Sequence, residues 1–391
     1  MRESCANLAR ILRESYFYGI LDIYVFTCAQ FVAGLVKQKH MFDPKYKLNN
    51  KILANLTAIA EAKGFIDRAK ILPQQEVCLR RQAVIRMTHH STEIEGNRLN
   101  MAQVEAVYSK KKIDAPDRDI YEVKNYLNAL KYIEKVVAEH KPITEKIILK
   151  IHKLVTDKTL APQFSGRYRP GPIYVVRKRF GMSQEILYTG PEAKQVPKLM
   201  SDFIHWLQES EKKEISPVLV AGIAHLEIAA IHPFNDGNGR TARALATLVL
   251  YQRGYDFRRL FALEDYYNTK RQDYYKAINV GKNYDKRQTD ITSWLEYFIK
   301  GFKNEIDNVK DKILSLSVHA VDGTIKSQIY LTKEQLKIVD FLDQVGRIAV
   351  KDVEDILSCP RRTAQLQLQK LKKIKMIKST GKGKSTSYIA N

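Results

Sequence analysis

Apolar residues recur every three or four positions along most of this chain, and that spacing predicts helices. It shows first between residues 46 and 160, in "KILANLTAIAEAKGFIDRA" and "IYEVKNYLNALKYIEKVVAEH". Pro142 and Thr144 open another helix, "ITEKIILKIHKLVTD", since proline and a hydroxyl residue suit a helix start. Between 166 and 190 the texture changes. Two β-rich runs, Ile173 to Val176 and Ile186 to Tyr188, flank a turn near Gly181 and predict a hairpin. Helical spacing returns in "EAKQVPKLMSDFIHWLQES" and "SPVLVAGIAHLEIAAI". "TARALATLVLYQRG" then reads as a helix closed by Gly254. Helices continue to about residue 316, and the polar "VHAVDGTIKSQIY" separates a small C-terminal unit. In that unit "TKEQLKIVDFLDQVG", "VKDVEDILS" and "PRRTAQLQLQKLKKIKM" predict three helices. "IKSTGKGKSTSYIA" adds two short strands around Gly381 and Gly383. No internal repeat is evident, and the expected class is mainly α.

The 391 residues allow two or three domains, and 45% apolar content supports a sizeable core. A net charge of +22 favours partners carrying phosphate or acidic surface. Cys5, Cys28, Cys78 and Cys359 form no CxxC pair. That spacing argues against a disulfide framework or a zinc site and suits a reducing cytoplasm. One segment pulls the other way. Residues 17–36, "FYGILDIYVFTCAQFVAGLV", have about the length of a membrane span. Asp22 opposes insertion by up to about 3 kcal/mol, and no small-residue cleavage site is evident. Three readings of 1–40 stay open: a membrane anchor, a buried or interfacial helix, or upstream residues ahead of a start at Met41.

The chemistry concentrates in "HPFNDGNGRTAR", residues 232–243. Gly237 and Gly239 flank Asn238, so backbone N–H groups can turn toward a ligand with no Cβ in the way. A helix follows at once, and a glycine-bearing loop feeding a helix N-terminus is an anion site. Arg240 and Arg243 stand three apart on that helix, and their guanidinium forks match phosphate oxygens. An acid beside a phosphate site makes sense with a divalent metal, so Asp236 is the expected Mg²⁺ ligand. His232, with an ordinary pKa near 6.5, suits a general base that takes the proton from an attacking hydroxyl. Pro233 and Phe234 look structural.

These twelve residues resemble the signature of Fic proteins, HxFx(D/E)GNGRxxR, at every fixed position. The resemblance spans roughly 46–310. It implies a helical catalytic core (141–316) with a β-hairpin flap (171–190), preceded by a helical region (41–140). It also implies transfer of AMP from ATP to a Ser, Thr or Tyr hydroxyl of a target protein, or of the chain itself, releasing pyrophosphate. In that scheme His232 is the base and Asp236 holds Mg²⁺. Gly237, Asn238 and Gly239 hold the α- and β-phosphates, and Arg240 and Arg243 the distal ones. The flap would pair its strand edge with an extended target segment. Fic proteins often dimerise, so the resemblance allows a homodimer without fixing the oligomeric state.

"STEIEGN", residues 91–97, allows two readings. In one, Thr92 is an N-cap with Glu95 three residues on. In the other, Ser91 to Glu95 form the last turn of a helix from about Gln75, stopped by Gly96 and Asn97. A carboxylate at a helix C-terminus opposes the dipole and needs a cationic partner. Fic proteins carry an inhibitory helix marked (S/T)xxxE(G/N), which Ser91, Glu95 and Gly96 match. The resemblance then implies that Glu95 pairs with Arg243 in the γ-phosphate position and restrains the enzyme.

After a linker at 317–330, residues 331–391 resemble a winged helix-turn-helix. No acidic residue occurs from Ile356 onward. Arg361, Arg362, Thr363 and Gln365 would lead the third helix into a DNA major groove, with Lys382 and Lys384 on the wing meeting phosphates. A protein-binding or dimerising unit with a solvated basic face is the alternative. The competing function class is therefore a DNA-binding regulator whose Fic core senses nucleotide or modifies itself.

Overall fold

The computed structural model describes residues 42–177, 185–318, 331–381 and 386–390. The apolar segment 17–36, the tip of the hairpin with Gly181, most of the linker, and Lys382 and Lys384 lie outside the described residues. Among the described residues no helix is long and apolar enough to cross a membrane.

The chain is mainly helical, as its periodicity predicts. The first helices are α1 (Asn50–Arg68), α2 (Pro73–Ile94), α3 (Met101–Tyr108), α4 (Asp117–Ala138) and α5 (Glu145–Val155). The hairpin of β1 (Tyr174–Arg177) and β2 (Glu185–Thr189) follows. Then come α6 (Val196–Lys212), α7 (Pro217–Ile231), α8 (Asn238–Gln252), α9 (Leu263–Thr269), α10 (Arg271–Ile278) and α11 (Thr292–Val318).

A helix that is apolar all round belongs at the centre of a domain. In α7 every residue from Val218 to Ile228 is buried. α8 packs along it, α4 and α5 line the other side of α8, and α11 closes over α7 with α1 outside it. Gly222 lets α11 come close, because a Cβ there would stand 3.0 Å from both Leu295 and Phe298. Trp294 Nε1 donates to the Gly222 carbonyl at 2.8 Å across that contact. Glu227, buried on α7, accepts from Arg287 at 2.7 Å and Tyr284 at 2.9 Å. A carboxylate at that depth requires such pairing.

Helix ends follow their local chemistry. Asn49 caps α1 by accepting from Ile52 N–H, and Asn100 and Gln103 form a reciprocal capping box on α3. Gly254 adopts φ +75° just past α8, the left-handed stop its position predicts. At "STEIEGN" the second reading holds. Thr92 lies inside α2, its hydroxyl donating back to the Thr88 carbonyl at 2.9 Å, so it caps no new helix. α2 ends at Ile94, and Gly96 turns the chain at φ +98°.

The hairpin is antiparallel, pairing Val175 with Tyr188 and Val176 with Ile186 across an irregularity between Val175 and Val176. Tyr188 anchors it, its hydroxyl donating to the Ala230 carbonyl at 2.7 Å near the end of α7.

The C-terminal unit contains α12 (Lys333–Val345), α13 (Val350–Leu357), α14 (Arg361–Lys373) and the antiparallel pair β3 (Ile377–Thr380) and β4 (Ser387–Ala390). Ile338, Leu342, Val353, Leu368 and Leu371 form its core. Ile348 bridges to Tyr388, a short third pairing absent from the expectation. Val77 of α2 packs against this core, and Arg80 of α2 pairs with Asp340 of α12 at 2.9 Å.

Candidate functional site at the start of helix α8

The loop between α7 and α8 is held from three sides. Its own side chains close it first. Asn238 Oδ1 accepts from Phe234 N–H at 3.0 Å, and Asn238 Nδ2 donates to the Phe234 carbonyl at 2.8 Å. This clasp uses the Asn238 carboxamide inside the loop. What Asn238 offers a ligand is therefore its backbone N–H, a refinement the signature alone does not reveal. Phe234 is fully buried and stacks on the His152 ring, centroids 3.7 Å apart and planes within 4°.

His152 of α5 is the second hold. Gly166 N–H donates to its Nδ1 at 2.9 Å, so Nε2 carries the proton and donates to the Asp236 carbonyl at 2.9 Å. Burial pushes its pKa down to about 4, against the Asp236 contacts that raise it. His152 is thus a neutral strut. Gly237 must be glycine on two counts. Its φ is +78°, and a Cβ would stand 2.8 Å from the Thr156 methyl.

Arg169 is the third hold. It is buried, and its guanidinium donates to the carbonyls of His232 at 2.8 Å, Gly171 at 2.6 Å and Pro191 at 2.5 Å. It ties both ends of the hairpin to the motif loop. Neither His152 nor Arg169 stands out in the sequence. His152 reads as one more position of an amphipathic helix, and Arg169 as one more basic residue in a basic chain.

His232 sits at the end of α7 in a left-handed conformation, φ +50° and ψ +57°. Its Nδ1 lies 3.0 Å from the Ala229 carbonyl, so Nδ1 bears the proton and Nε2 keeps its lone pair. Burial lowers its pKa, with the Ala229 hydrogen bond opposing. The ring is therefore neutral near pH 7, as a base must be. His232 lines a cavity of about 560 Å³ together with Asp236, Gly237, Asn238, Gly239, Arg243, Glu95 and residues of both hairpin strands. The structure thus gathers His232, Asp236, the glycine turn and the Arg243 guanidinium around one space.

Arg240 departs from expectation. It is 2% exposed and does not line the cavity. Its guanidinium faces Glu122 at 3.7 Å, the Val155 carbonyl at 3.4 Å and Asp236 Oδ1 at 3.5 Å. Three residues along a helix is about 300° of rotation, and here Glu122 and Ser91 draw the two guanidiniums apart. Only Arg243 projects into the cavity. Its Nε donates to Ser91 Oγ and its Nη2 to the Ser91 carbonyl and Glu95 Oε1, each at 2.8 Å. The cation meets both the exposed carbonyl end of α2 and a carboxylate, two favourable partners at one helix terminus. Glu95 also lies hard against Gly239, where a Cβ would collide with its carboxylate. The first turn of α8 leaves its N–H groups unpaired within the helix, and Glu95 brings a negative charge to that turn.

Asp236 is half-exposed beside the same turn. Its Oδ1 accepts from Gly237 N–H at 2.6 Å, and Oδ2 has Arg118 at 4.0 Å. A hard oxygen ligand next to a phosphate-sized anion site fits Mg²⁺, which is commonly held by one or two carboxylates plus substrate phosphates.

With fold and site described, the chain can be set beside known proteins: residues 142–250 match the Fic/DOC family. Similar proteins include the protein adenylyltransferase Fic of Drosophila grimshawi, 32% identical over 202 residues, which are 51% of this chain and 38% of that protein. The same enzyme of Drosophila mojavensis is 32% identical over 254 residues, 63% of this chain and 46% of its own length. The chain thus spans less than half the length of these curated relatives. A crystal structure of a Fic family protein from Desulfovibrio desulfuricans G20 superposes with a TM-score of 0.57 at 25% identity, covering 90% of this chain and 98% of that one. Fic-1 from C. elegans has the same fold, with a TM-score of 0.53 at 20% identity over 78% of this chain and 80% of that one.

Proposed function

We propose that this chain is a self-restrained protein adenylyltransferase, moving AMP from ATP to a hydroxyl of a protein. The observation that carries the reading is the shared cavity, with a neutral His232 beside the glycine turn at the start of α8. The target hydroxyl attacks the α-phosphorus and gives its proton to His232 Nε2. The bond between the α-phosphorus and its bridging oxygen breaks, and pyrophosphate leaves. The N–H groups at the start of α8 bind phosphate oxygens, and Arg243 binds the terminal phosphate. Arg240 acts at one remove by facing Asp236 and Glu122. Mg²⁺, held by Asp236, would neutralise phosphate charge when bound. The hairpin presents Tyr174, Val176 and Ile186 as exposed apolar side chains, a surface on which an extended Ser-, Thr- or Tyr-bearing segment could lie.

Glu95 supports the restraint. It holds Arg243, whose guanidinium lines the cavity, and crowds Gly239. A triphosphate reaching Arg243 must first displace it. Intact mass of the full chain after incubation with ATP and Mg²⁺ tests both parts. Glu95→Gly should gain AMP faster than wild type, and His232→Ala should gain none. Equal labelling of wild type and Glu95→Gly defeats the restraint, and labelling of His232→Ala defeats the base.

For the C-terminal unit the favoured second reading is DNA binding by a winged helix-turn-helix. Arg361, Arg362, Thr363 and Gln365 are all exposed along the first turns of α14, the position that enters a groove. A gel shift that weakens steeply with salt supports it. Absence of any shift at low salt argues for a protein-binding role instead.

A further inference from the structure

The last turns of α2 carry a cluster that the reaction above does not use. His89 Nδ1 and His90 Nδ1 are 3.2 Å apart, and Glu93 Oε2 lies 3.6 Å from the first and 3.4 Å from the second. Ligands about 2.0–2.2 Å from a tetrahedral ion stand roughly 3.3–3.6 Å from one another. The three atoms have the spacing of one face of such a tetrahedron.

The outward nitrogens strengthen the case. His90 Nε2 faces Asp265 Oδ1 of α9 at 3.3 Å. The Leu99 backbone stands beside the His89 ring. His90 Nδ1 accepts from the Asn268 amide, which leaves its proton on Nε2 facing Asp265, and the two Nδ1 atoms and a carboxylate oxygen meet on the inner side. Two imidazole nitrogens and a carboxylate oxygen thus converge. The Asn268 amide is the donor among them, Nδ2 standing 2.8 Å from His90 Nδ1 and 2.6 Å from Glu93 Oε2. Its orientation is set from behind, because Arg271 donates to Asn268 Oδ1 at 2.6 Å. The flanking cations face acids: Arg86 pairs with Asp265 and Glu305, and Arg271 stands 3.8 Å from Glu93. A carboxylate behind a ligating histidine is the usual support of a metal-bound imidazole.

We infer that His89, His90 and Glu93 form a binding site for a divalent transition-metal ion of the Zn²⁺ class, with Asp265 orienting His90. The ion takes the place of the Asn268 amide among these three atoms, and water completes its four ligands. It ties the end of α2 to α9 and is distinct from the Mg²⁺ chemistry assigned to Asp236, which uses oxygen ligands.

The test is titration of the full chain with Zn²⁺ against a chromophoric chelator, and with Co²⁺ read by its visible bands. One ion per chain is expected, with the intense Co²⁺ bands of four-coordination. His90→Ala and Glu93→Gln should each weaken binding at least tenfold. Asp265→Asn should weaken it about 10- to 100-fold, and Asp236→Asn should leave it unchanged. The proposal is overturned by a wild type that binds no tighter than the His90→Ala and Glu93→Gln variants. It is equally overturned by a weak six-coordinate Co²⁺ spectrum, which needs no variant to fold, or by loss of binding in Asp236→Asn alone.

Discussion

Replacing His152 with Gln tests how the motif loop is held, because the loss of this histidine changes how stability varies with pH. In the unfolded chain His152 takes up a proton near pH 6.5. In the folded chain it is fully buried and resists until about pH 4. Its folded pKa is depressed, so the stability tied to its neutral form is complete above about pH 6.5. That stability is lost as pH falls toward 4, because the unfolded chain then binds the extra proton. The difference is 2.5 units at about 1.36 kcal/mol each, or about 3 kcal/mol. Glu264 works in the opposite sense. Burial lifts its pKa to about 7, so its contribution grows as pH falls from 7 toward 4.5. That effect is common to wild type and variant and cancels in their difference. Denaturant unfolding at several pH values between about 7.5 and 4.5 supplies the curves. The wild-type advantage over His152→Gln should shrink by about 2.5 kcal/mol across that range, most of it below pH 6.5. Parallel curves would refute the assignment of His152 as a neutral strut.

Three further outcomes are expected. Arg169→Met leaves the carbonyls of His232, Gly171 and Pro191 without their donor. It should cost roughly 3 kcal/mol or more in unfolding free energy, and an unchanged denaturant midpoint would contradict the staple. Asn238→Ala removes two hydrogen bonds closing the loop. A loss of about 2 kcal/mol is expected, together with weaker ATP binding by titration calorimetry. Normal nucleotide affinity in a folded variant would show that the clasp is dispensable. Gly239→Ala should destabilise the wild type by about 1–2 kcal/mol, because its methyl meets Glu95. In a Glu95→Gly background most of that cost should go, leaving the 3.1 Å approach to Arg243 Nη1, and a double-mutant cycle with no coupling would remove the contact from the argument.

Much of this protein could be read along the chain because its information is local. Helix periodicity, the Gly254 stop, the hairpin and the glycine turn depend on residues a few positions apart, and the backbone obeys them wherever they sit. The signature at 232–243 was legible for the same reason. Of the two readings of Thr92, Gly96 just after Glu95 already weakened the capping box, since glycine is poor inside a helix, but local rules alone did not supply the cation that Glu95 needs. Tertiary contact did: Arg243, 152 positions away, takes Ser91 and Glu95 and rewards α2 for running to its end there.

The partnerships were decided only in space. Spacing put Arg240 and Arg243 near one helix face, yet Glu122 draws one into the core and Ser91 the other toward the cavity. Nothing in "KIHKLV" or "GRYRPG" marks His152 or Arg169, since their roles exist only once α5 and the hairpin meet the loop. Short-range rules set which element forms. Which buried charge finds which partner is set by desolvation, which strands any charge left alone and so selects the one packing that answers it.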